Sequence, residues 1–187
     1  MGASRGQRSG LVSRAEAVGT ARAMGVSRLA VDLPGRIDLA AARRALEQPD
    51  WLGTPVAPPP DRPEMRRYLT DLVLQLSAVG RPLEFRKAAY VDVGPVAERG
   101  RRLEVEIGWR SATMAPLFPV FAGTLLVTAA GLVLEGAYAP PFGEAGMLID
   151  KAALGGVARR TARWFVGRVG AELGLDPLPF GPEAGGD

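Results

Sequence analysis

The eight residues LEVEIGWR, Leu103 to Arg110, alternate apolar and polar side chains without a break. Leu103, Val105, Ile107 and Trp109 fall on one parity; Glu104, Glu106 and Arg110 fall on the other. Period-two alternation marks a β-strand with one face buried and one face in water. Such a strand needs paired neighbours, and its apolar face needs a cover.

The neighbours are legible on both sides. Tyr68 to Leu76 and Leu83 to Val93 precede it, and Gly123 to Ala129 and Leu132 to Ala139 follow it, all with strand composition. The links Val79-Gly80-Arg81, Glu98-Arg99-Gly100 and Ala129-Ala130-Gly131 are short, which makes consecutive strands antiparallel. Leu72, Leu74 and Leu76 share a face opposite Asp71 and Gln75, and Leu132, Leu134, Gly136 and Tyr138 share one opposite Glu135. Upstream, Ser27 to Leu33 reads as a first strand, and Asp38 caps a helix over Leu39 to Gln48. Thr54 to Pro63, TPVAPPPDRP, is a stiff extended connector.

The cover is a terminal helix from about Glu144 to Leu173. Leu154, Val157, Ala158, Thr161, Phe165, Val169 and Leu173 recur at helical spacing, with Lys151, Arg159, Arg160, Arg163 and Gly167 away from that stripe. Gly155 and Gly156 each cost a helix about 1 kcal/mol relative to alanine. They either bend the helix or leave room between it and the sheet. The expected fold is α+β, a curved antiparallel sheet wrapped around a long C-terminal helix. The expected domain is 26–175, with a disordered or over-long extension at 1–25 and a flexible tail at 176–187.

Composition narrows the chemistry. The chain has no cysteine, which fits a reducing compartment and a cytoplasmic location. It has no histidine, which removes the usual general base and zinc ligand. No metal site and no cofactor site can be assembled; Gly143-Glu144-Ala145-Gly146 lacks phosphate-loop spacing. The net charge is +3, but Lys87 and Lys151 are the only lysines and the arginines are spread among acidic neighbours, so no nucleic-acid partner is expected. Ser111 to Leu134 carries no charge, yet Pro116, Pro119 and strand-like alternation make it loop and strand rather than a membrane span. Oligomeric state is not legible.

The order of elements, with Phe85-Arg86-Lys87-Ala88-Ala89, Glu106-Ile107-Gly108-Trp109-Arg110 and Tyr138-Ala139-Pro140-Pro141, resembles the START-like helix-grip (SRPBCC) superfamily, in particular its uncharacterised bacterial members. That superfamily includes polyketide cyclase/dehydrase-like domains. The resemblance covers about Val26 to Gly174, with one strand or small helix fewer near the start. It implies a deep apolar cavity under the long helix, in domains that serve as carriers, sensors and a few enzymes.

Lys87 shares a parity with Leu83, Phe85, Ala89 and Val91, so an inward face would carry its ammonium toward that cavity. A buried ammonium must find a carboxylate or a ligand anion, or lose its proton. The expected lining is Leu74, Phe85, Ile107, Trp109, Leu134, Tyr138, Leu154 and Phe165, with Lys87 as the polar anchor. The expected partner is a hydrophobic small molecule: a lipid, polyketide or aromatic metabolite. A cyclase/dehydratase-type enzyme using Lys87, Tyr138 or a carboxylate is the second reading, and an interaction module with a filled core is the third.

Overall fold

The computed structural model describes residues 27–78, 81–113, 120–139 and 151–175, with side chains described for all of these except 27, 73–78, 81–85 and 151–155. In chain order the elements are β1 (Ser27–Pro34), α1 (Leu39–Glu47), β2 (Thr54–Val56), β3 (Arg66–Ala78), β4 (Arg81–Val93), β5 (Ala97–Arg99), β6 (Arg102–Ser111), β7 (Val120–Thr128), β8 (Gly131–Ala139) and α2 (Lys151–Glu172).

The strands form one eight-stranded sheet in the order β1-β8-β7-β6-β4-β3-β2, with β5 paired to β6 off this path. Every pairing is antiparallel. The fold is therefore α+β, an antiparallel sheet with a C-terminal helix. The connector differs from the sequence reading. Thr54–Val56 is not merely a spacer but an edge strand on β3, with Pro55 opposite Tyr68. A proline is tolerated at a sheet edge, where its missing N–H costs no ladder bond. Ala97–Arg99, which overlaps the link read at Glu98-Arg99-Gly100, is likewise a short strand.

Register places the apolar parity of β1, β6, β7 and β8 on one face. Leu29, Val31 and Leu33 of β1 meet Gly136, Leu134 and Leu132 of β8. Leu103, Val105, Ile107 and Trp109 of β6 meet Val127, Leu125, Gly123 and Phe121 of β7. Helix α2 packs against β1, β8 and β3. It buries Ala158, Thr161, Ala162, Phe165, Val166 and Val169. Gly156 does not face the sheet: a Cβ there would meet nothing within 4 Å, and helical spacing sets it beside Arg160, Arg163 and Gly167.

Both helices are held by local chemistry. Asp38 accepts hydrogen bonds from the Ala40 and Ala41 N–H groups at 2.9 and 3.3 Å, as its capping position predicts. At the other end of α1, the Arg66 guanidinium donates to the Leu46 and Gln48 carbonyls at 2.7 and 3.1 Å, which places a cation at the negative helix end and ties α1 to β3. Helix α2 stops at Gly174, φ 77°, where the Leu175 N–H reaches the Gly170 carbonyl at 2.8 Å and the Gly174 N–H reaches Ala171 at 3.1 Å. This is a Schellman cap, whose left-handed position favours glycine. Among the described residues no helix is long and apolar enough to cross a membrane. Of the charge-free stretch, 120–134 forms β7, a turn and the start of β8; its proline loop, 114–119, lies outside the described residues.

Candidate functional site

A largely aromatic row of side chains crosses the inner face of the sheet. Successive pairings run Tyr68, Val91, Trp109, Phe121, Tyr138, from β3 to β8. All five are buried. The row depends on a cross-strand glycine pair, Gly123 opposite Gly136. A Cβ at either would lie 2.6–2.7 Å from the tip of the Phe121 ring. The absent side chains let Phe121 lie over both strands. Trp109 then stacks on Phe121, with centroids 4.1 Å apart and planes at 16°. Phe165 of α2 closes on Trp109 at 5.5 Å. Of the predicted lining, Ile107, Trp109, Leu134, Tyr138 and Phe165 are thus brought into one core between sheet and helix.

Polar atoms are caught in this core. The Trp109 indole N–H and the Tyr68 hydroxyl are buried with no hydrogen-bond partner among the described residues. Trp51 meets Tyr68 edge-on at 6.2 Å, and its indole N–H is also buried without a partner among them. Burial raises the Tyr68 phenol above its ordinary value of 10.0, against the pull of the Arg66 cation and of the Trp51 indole N–H that points toward it outside hydrogen-bond geometry. Sequence reasoning missed Tyr68, although its parity with Leu72 could have placed it.

Beyond the aromatic row the inner face changes character. The next pairings are Thr70, Ala89 and Ser111, all small. One step further, half-buried Lys87 stands opposite fully buried Leu72. Lys87 therefore carries its charge on the face the strand's parity predicts. Leu74 and Phe85 pair in register after it; their side chains, and that of Leu154, lie outside the described residues.

A second feature lies on the opposite face. The chain from Ala57 to Met65 straps across the sheet, and Arg62 reaches Glu106 through two hydrogen bonds at 2.6 and 2.8 Å. Arg67 holds Asp92 in the same two-pronged way, at 2.6 and 2.9 Å. These bonds raise the pKa of both guanidiniums above the ordinary arginine value. Strap and strands border a half-open cavity of about 190 Å³ whose lining includes Gly108 and Ala122. Glu106 is thus not simply a solvated carboxylate, as its strand position suggests; it anchors the strap. Among the described residues no cluster of acids could hold a metal ion. No protein-family model, curated protein or solved structure matches the chain.

Proposed function

We infer that the protein binds a hydrophobic small molecule bearing one anionic or carbonyl head, held between the sheet and α2. The observation that carries this reading is Lys87, a half-buried cation facing the same side as buried Leu72, beside small Thr70, Ala89 and Ser111. A densely filled core has no use for an ammonium there, whereas a ligand head would neutralise it. The Trp109 N–H adds a donor that an oxygen-bearing ligand could satisfy. The helix-grip resemblance agrees with this placement. Contacts of α2 with β1 and with β3, near opposite ends of the strand order, support a sheet that curves around the helix. The absence of cysteine fits a cytoplasmic carrier or sensor.

Native mass spectrometry tests the reading. Protein incubated with excess decanoate should carry one added ligand mass, released on denaturation. A bare protein mass under those conditions would sink it and leave the filled-core interaction module, which the Trp109–Phe121–Phe165 stack favours.

A further inference from the structure

The strap cavity on the outer face is separated from the proposed interior by the sheet itself, so it stands or falls independently. Its charged lining is Asp61, Asp92 and Glu106 against Arg62, Arg67 and Arg110, three negative and three positive, which sum to zero. Four of the six are engaged in the two bidentate pairs, and Arg62 also bonds Glu64 at 3.2 Å. Asp61 and Arg110 make no hydrogen bond or salt bridge with a described residue. Asp61 contributes only its field at Arg67. Arg110 lies over the Tyr90 ring at 5.9 Å, and Arg67 lies over the same ring at 5.3 Å. Tyr90 thereby positions the guanidinium without neutralising it.

A net-neutral pocket whose Arg110 and Asp61 have no ion-pair partner among the described residues offers one cation and one anion side by side, a poor match for a simple anion or a simple cation. It selects a ligand that carries both charges. The volume limits the size: about 190 Å³ equals roughly six water volumes and falls below the about 300–1,000 Å³ of drug-sized sites. We propose that this pocket binds a small zwitterion of the α-amino-acid class, with its carboxylate on Arg110 and its ammonium on Asp61. Gly108 and Ala122 add little side-chain bulk to the lining, and the Arg62–Glu106 and Arg67–Asp92 pairs border it.

An amide NMR titration of the full chain with L-serine, run beside propionate and ethylammonium, tests this. Saturable shifts should appear at Gly108 and Ala122. L-serine should bind at least about tenfold more tightly than either half-ligand, and Arg110→Gln and Asp61→Asn should each weaken it at least about tenfold, the loss expected for one charged hydrogen-bond partner. Both residues are exposed, so both variants should keep the wild-type spectrum elsewhere. No saturable shift with L-serine, propionate binding as tightly as L-serine, or either variant binding like wild type would overturn the proposal.

Discussion

Tyr68 shows how a single side chain couples the core to solvent conditions. Its phenol is fully buried, and burial raises its pKa above 10.0. The folded protein therefore keeps this proton at a pH where the unfolded chain releases it, so stability falls as pH climbs past about 10 toward the raised value. Thermal melts between about pH 8 and about pH 11 should lose stability more steeply for wild type than for Tyr68→Phe; equal slopes would remove Tyr68 as the cause. Gly136 makes a packing argument of the same kind. Its absent Cβ leaves room for the Phe121 ring and for the Ala122 carbonyl across the pair. Gly136→Ala should destabilise by about 1–3 kcal/mol in urea titration, as overpacking does, and a neutral result would show that the ring has other places to go.

At the scale of elements, both helices are defined by their ends as much as by their stripes. Asp38→Ala removes the α1 cap and should cost about 1 kcal/mol. Gly174→Ala puts a side chain at φ 77° and should cost a similar amount, about 1–2 kcal/mol. Chemical denaturation of the two variants and their double mutant should give additive losses, since the sites share no partner. What could be read of the elements beforehand follows from the range of the forces involved. Strand faces around Leu103–Trp109 and Leu132–Tyr138 were legible because alternation is local. The Asp38 cap was legible because its partners are two and three residues away. Thr54–Val56 was not, because three residues with a central proline carry no period. Ala162, Val166 and Gly170 of α2 escaped the predicted stripe because each follows a stripe residue by one position, and the buried arc of the helix is wider than the stripe. The bonds from Arg62 to Glu106 and from Arg67 to Asp92 span 44 and 25 residues, beyond any local pattern.

At the scale of the molecule, one sheet separates two environments of opposite character. Its inner face carries aromatics and aliphatics, with the Lys87 charge where the aromatic row gives way to small side chains. Its outer face carries paired charges under a proline strap. The inner face was legible as far as parity reaches: Ile107, Trp109, Leu134, Tyr138 and Phe165 are buried in one core, and Lys87 pairs in register with buried Leu72. Its packing was not, because the Phe121 ring over two glycines depends on strand pairing that no single stretch encodes. Gly156, one of the two glycines that could leave room above the sheet, points elsewhere. The central claim, an apolar interior site anchored by Lys87, is tested most directly by titrating the anionic dye anilinonaphthalene sulfonate into folded wild type and Lys87→Met. Wild type should bind the dye saturably and the variant more weakly by about 1.5–3 kcal/mol, with the unliganded fold no less stable. Absence of dye binding to the folded protein, or equal affinity in Lys87→Met, would contradict it.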